Sequence, residues 1–187
     1  MSGFPVRAPR SSAMSIDRSL TGRERFFDAS DVIVTKTDLK GRITYANRTF
    51  LNIANLDVRH ALDKPHSLIR HPDMPRCVFW LLWETIQAGK EIFAYVLNRP
   101  VNGDHYWVFA HVTPSFGERG EIIGYHSNRR VPRREPIEQV IKPIYAELLA
   151  IENGHANRKD GMHAAVAALT EKLKNAKVSY DEFIFSI

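Results

Sequence analysis

The sequence predicts an α+β domain built on a single antiparallel sheet. Three observations carry this expectation. Two strand-like runs come first, several short helical segments follow, and three more strand candidates then arrive in close succession. That order suits a five-stranded antiparallel sheet with short helices on one face, a pocket between the layers, and helices appended at the C-terminus.

Residues 1–20 are rich in Ser, Pro and Ala with scattered Arg, and read as a disordered tail. "SLTGRERFFDAS" is read as a short helix offering Leu20 and the Phe26–Phe27 pair to the domain. The first strand begins at Val32, Ile33 and Val34. "DLKGR" supplies turn chemistry through Asp38 and Gly41, and "ITYA" is the second strand. From Asn47, a candidate N-cap, the period becomes helical and places Phe50, Leu51 and Ala54 on one face. "VRHALDKPHSLI" reads as short helical turns broken by Pro65. "LIRHPDMP" gathers Arg, His and Asp between prolines. Pro75 then opens a helix carrying Val78, Phe79, Leu82, Trp83 and Ile86 at helical spacing, with Gly89 as its stop.

"EIFAYVLNRP", "HYWVFAHVTPSF" and "EIIGYHSNRR" are the last three strands, and the Asn-Gly of "VNGD" signals a hairpin between the first two. Beyond them, Ile137, Val140, Ile141, Ile144, Leu148 and Ile151 form one apolar stripe, with a kink or restart expected at Pro143. Met162, Val166, Leu169 and Leu173 form a second, after a linker near 153–161. "VSYDEFIFSI" is apolar enough to dock. Each helix is short for a lone coiled coil, so the stripes are expected to pair with a second copy as a homodimer or, alternatively, to fold back.

Bulk properties bound the function. Hydrophobic residues are 44% and charged residues 25% of the chain, an ordinary globular balance. One cysteine, Cys77, leaves no internal disulfide and no CxxC metal pair, which suits a reducing cytoplasm. No apolar run approaches the roughly 20 residues of a membrane span. The net charge is +5 and partly concentrated in "RRVPRR". No nucleic-acid motif surrounds that cluster, so it reads as a solvated linker. Phosphate-loop, HExxH and GxSxG patterns are absent, which argues against an enzyme.

Four stretches go beyond pattern. "ITYANRTF", "LIRHPDMPRCVF", "NRPVNGDHYWV" and "IIGYHSNR" resemble the PAS sensory domain of the bacterial aerotaxis receptors, over about Asp31 to Gly154. The resemblance implies the PAS fold over 21–131, with 132–187 as a helical extension. It also implies non-covalently held FAD, a role in sensing oxygen or redox state, and output by contact with a chemotaxis receptor or signalling kinase. By motif match, flavin contacts fall on Arg70, His71, Asp73 and Asn98, with Phe79 and Trp83 lining the pocket. Arg70 suits a phosphate, His71 a phosphate or ring carbonyl, Asp73 a ribose hydroxyl or His71 itself, and Asn98 an amide edge of the ring. Ile92 stands where the family has a Trp near the flavin, leaving Phe93 or Tyr95 as substitutes, and Pro100 and Val101 replace basic residues. The membrane anchor and long coil of those receptors are not in these 187 residues. Two other readings stay open: a cofactor-free dimerisation or adaptor module, and a haem-based gas sensor using His66, His71, His105 or His111. Cys77 reads as a small buried apolar residue.

Overall fold

The computed structural model describes residues 19–187; the expected N-terminal tail lies almost wholly outside them. Five strands form one antiparallel sheet in the order β2-β1-β5-β4-β3. They are β1 (Ile33–Thr37), β2 (Ile43–Ala46), β3 (Ile92–Asn98), β4 (Tyr106–Phe116) and β5 (Ile122–Arg130). Between β2 and β3 lie α1 (Arg48–Ala54), α2 (Val58–Ala61), a 3-10 turn (His66–Ile69) and α3 (Arg76–Gln87). The α+β class and the strand and helix order match the sequence expectation.

Local chemistry explains the elements. The Asn47 side chain accepts from the Phe50 amide and so caps α1, while also bonding both to the Val34 amide and to the Val32 carbonyl, which ties the helix start to β1. At the β1–β2 turn, Gly41 has φ of 75°, and a Cβ there would sit 3.1 Å from the Trp83 ring. Glycine thus serves both the left-handed turn and the approach of α3. The Asn102–Gly103 pair lies within a longer loop, because Asn98 and Tyr106 are the last paired residues of the β3–β4 ladder.

The segment "SLTGRERFFDAS" is not helical. It runs as an extended strap beside the start of β4, with the Arg25 amide donating to the His105 carbonyl at 2.7 Å and the His105 amide to the Arg23 carbonyl at 2.9 Å. Gly22 at φ of 71° breaks a right-handed helix at this point. Phe27 packs on the core and Phe26 faces solvent.

Past β5, a short turn α4 (Arg134–Pro136) and a π-helical stretch (Ile137–Ile141) lead into α5 (Lys142–Asn153), then α6 (Arg158–Ala176) and α7 (Tyr180–Ser186). The restart expected at Pro143 takes the form of that π turn. Proline lacks the N–H that an α-helical ladder requires there, and the wider register absorbs the defect. The two apolar stripes turn inward on their own chain. Ile137, Ile141, Leu148, Ala165, Leu169 and Ile184 join the core that contains Phe50, Ile69 and Val108. The Tyr145 hydroxyl donates to the Tyr95 carbonyl at 2.6 Å, fixing α5 to β3.

Candidate functional site

The inner face of the sheet and helix α3 do not close on each other. Between them lies a cavity of about 590 Å³. Strand alternation places Thr35 of β1, Asn98 of β3, Ala110 of β4, and Tyr125, Ser127 and Arg129 of β5 on its sheet wall. Phe79, Leu82 and Trp83 of α3 form the opposite wall, and Arg70, Arg76 and Lys40 add positive charge. Trp83 meets Tyr125 edge-to-face, with centroids 5.4 Å apart. The aromatic wall therefore comes from α3 and β5. Phe93 and Tyr95, the expected substitutes at the Ile92 position, point to the other face, where both meet Phe109.

Of the six residues assigned from the motif, the structure brings Arg70, Phe79, Trp83 and Asn98 together on this cavity. Backbone pairing of Arg70 with Asn98 sets their proximity, and the Arg70 guanidinium stacks 4.2 Å above the Phe79 ring. His71 and Asp73 are a correction to that grouping. They line a separate recess of about 420 Å³ with Leu97, His105 and Trp107. His71 Nδ1 accepts the Asp73 amide at 3.1 Å, so the His-Pro-Asp loop turns both residues away from the cavity that Arg70 faces. Burial lowers the His71 pKa despite the carboxylate of Asp73.

Sequence reasoning missed Arg129, Ser127 and Tyr125, and named His66 only as a candidate haem ligand. Arg129 is buried, donates from Nη2 to the Thr35 hydroxyl, and meets His66 Nε2 at 2.7 Å. Burial pulls its guanidinium down to about 10, still charged at neutral pH, and no carboxylate pairs with it among the described residues. His66 is held down at about 3 by burial and then by the charge of Arg129. Neutral His66 thus accepts from Arg129 rather than competing with it as a cation. The Arg129 Nη1, Asn98 Nδ2 and Ser127 Oγ atoms are buried and have no hydrogen-bond partner. Three partnerless polar groups on residues that line one cavity fit a ligand edge rich in acceptors. The signal for them was present: Tyr125, Ser127 and Arg129 stand at alternate positions of a strand, and so share a face.

The histidine geometry bears on haem. His66 Nε2 is engaged by Arg129, His71 and His105 face the second recess, and His111 bonds Glu91 at 2.7 Å and stacks on Phe93. Of the four only His66 lines the main cavity, and there Arg129 engages its Nε2. Cys77 is buried, and its thiol is pushed up to about 12, chiefly by burial, which makes it a poor nucleophile. Of the basic cluster only Arg129 is buried; Arg130, Arg133 and Arg134 are exposed, two of them bonded within the chain. Arg129 lies in the cavity wall, Arg133 donates to the Ile187 carbonyl, and Arg134 pairs with Glu24 and Glu138. No helix among the described residues is long and apolar enough to cross a membrane.

Comparison with known proteins agrees with this geometry. The chain is 40% identical over 118 residues to the aerotaxis receptor of Escherichia coli K12, a match covering 63% of this chain and 23% of the receptor. It is 24% identical over 103 residues to a nitrogen fixation regulatory protein of Klebsiella pneumoniae, covering 55% of the chain and 21% of that protein. It thus spans about a quarter or less of these relatives. Among solved structures, a light-oxygen-voltage domain studied with a flavin analogue superposes with a TM-score of 0.54 at 14% identity, over 62% of this chain and 87% of that one. The dark-state LOV domain of the photoreceptor aureochrome 1 gives 0.53 at 20% identity, over 62% and 86%. The PAS fold model matches residues 22–127, more than half of the sequence, and the chain belongs to the PAS family, with a sensory domain similar to that of the aerotaxis receptor.

Proposed function

We propose that this chain is a cytoplasmic PAS sensor, not an enzyme, that binds FAD non-covalently in the α3–sheet cavity and reports redox or oxygen state by protein contact. The observation that carries this reading is the set of partnerless buried polar groups, Asn98 Nδ2, Ser127 Oγ and Arg129 Nη1, on the wall of a cavity flanked by Trp83 and Tyr125. A buried donor left unmet costs about 1–3 kcal/mol. A flat heteroaromatic ring with carbonyl acceptors along one edge would meet these donors and fill the space beside the aromatic side chains. Arg70, Arg76 and Lys40 suit the phosphates of such a ligand. Flavin would supply reversible electron transfer. The residues here would bind and orient it, and Arg129 would favour negative charge on the ring edge it meets. His71 and Asp73 would act indirectly, by shaping the loop that presents Arg70.

The signal would leave through a partner such as a chemotaxis receptor or kinase. The stripes that suggested a homodimer are buried within the chain, so self-association would use another surface, and sedimentation of the purified protein tests it. The reading itself is tested by a visible absorption spectrum of the purified protein after incubation with FAD. Retained flavin bands are expected. A featureless spectrum would overturn the reading in favour of a cofactor-free adaptor, and a Soret band would favour haem.

A further inference from the structure

Helix α3 begins without a local cap, since Pro75 offers no side-chain acceptor. Its Cys77 amide donates instead to Glu152 Oε1 at 2.8 Å, a carboxylate on α5 far along the chain. Glu152 is only 2% exposed, and a buried anion at a helix N-terminus is favourably placed. The same carboxylate attracts the Arg70 guanidinium, while Arg76 and Arg158 repel it.

The partner helix α6 crosses α5 very closely. A Cβ at Gly161 would come 2.3 Å from the Glu152 carbonyl oxygen, so a larger residue would force the helices apart. The neighbouring residues reach the ligand cavity. Met162 lines it, and His163 meets Trp80 edge-on with centroids 6.0 Å apart. The Arg158 carbonyl accepts from Arg76 Nη1 at 3.4 Å. Trp80 and Arg76 themselves line the cavity. Glu152, Gly161, Met162 and His163 all lie beyond residues 22–127, the stretch that matches the PAS fold.

We propose that the α5–α6 hairpin is a closing wall of the ligand cavity, latched by Glu152 onto the first turn of α3, so that hairpin docking and cavity filling are coupled. Only the identity of the ligand rests on the flavin reading. Coupling of this kind is reciprocal: a hairpin that improves ligand binding is held down by the ligand to the same degree. A ligand touching Met162 adds a contact that exists only with the hairpin docked. An anionic ligand group beside Arg70 offsets the repulsion it meets from Arg76 and Arg158. The hairpin is thus the element through which occupancy reaches the surface.

The test uses the full chain, FAD titration and hydrogen exchange. Gly161→Ala should weaken FAD binding at least tenfold and Met162→Ala about threefold, the second variant serving if the first misfolds. FAD should slow exchange across residues 158–166 of the wild type at least threefold. Wild-type FAD binding with both variants within twofold, and α6 exchange unchanged by ligand, overturns the proposal. If the wild type takes up no FAD, the flavin reading fails and the ligand-free protein decides the latch. Glu152→Ala should then speed exchange of the amides at 76–79 at least tenfold, and unchanged exchange there overturns it.

Discussion

The two faces of the sheet come from the same strands and hold opposite contents. On the outer face of β3 and β4, Phe93 stacks on His111 at 4.2 Å, and Phe185 of α7 meets Phe93 at 4.7 Å. Tyr145 ties α5 to the Tyr95 carbonyl, and Trp107 packs against its ring. Around Phe93 and Phe109 that half is filled with side chains of the chain itself, the recess of about 420 Å³ beside Leu97 and Trp107 being its one described opening. The inner face holds a cavity of about 590 Å³ and a buried arginine without a carboxylate. The difference shows where stability and function reside. A packed aromatic layer has nothing left to bind, whereas an open space bordered by unmet donors is maintained at a cost in stability.

Four measurements would break or sharpen that contrast. The largest effect is expected beneath the outer layer. Leu148→Ala removes a fully buried side chain of α5 and should lower unfolding free energy by about 2–5 kcal/mol in chemical denaturation, its effect falling chiefly on stability. An unaltered midpoint would show that the extension is not part of the folded core. Arg129→Met on the inner face should do the reverse. FAD affinity should drop at least tenfold while unfolding free energy moves by less than about 1 kcal/mol, since a buried charge lacking a counter-ion is removed. Wild-type flavin retention in this variant would remove Arg129 from the site.

Tyr145→Phe deletes one buried hydrogen bond between the extension and β3, and should cost about 1 kcal/mol of unfolding free energy. Unchanged stability in that variant would mean that this bond does not hold the extension to the sheet. The smallest effect is the pH response near neutrality. His66 binds its proton less readily folded, at about 3, than at its ordinary value of 6.5. The unfolded state therefore takes up the proton first, and stability should decline as pH falls below about 6.5, toward 3. A His66→Gln variant should flatten the upper part of that decline in urea titrations. An identical slope would assign the acid sensitivity elsewhere.

Much of the architecture was legible from spacing. The alternation of β3, β4 and β5 and the helical repeat of Val78, Phe79, Leu82 and Trp83 each report a face directly. Hence the sheet, the α3 wall and two of its cavity residues could be read in advance. The motif residues divide on the same principle. Asn98 lies on a strand, where the period sets direction, and Arg70 is joined to it by backbone pairing. His71 and Asp73 lie in a loop, which has no period, and their side chains turn to the other recess. The strap at Arg23–Arg25 was misread because its aromatic pair resembles a helix face, whereas its extended state is set by pairing with His105, a partner distant in sequence.

What the sequence by itself determined is the set of elements, their order, the PAS family and the positive charge near Arg70. These follow from local periodicity and turn chemistry, which act over a few residues. Only the tertiary structure decided that Arg129 would be buried against Thr35 and His66, that Glu152 would cap α3, and that the C-terminal stripes would close on their own domain. Those outcomes depend on contacts such as those between residues 63 to 94 positions apart, where packing selects the partner and no local pattern encodes it.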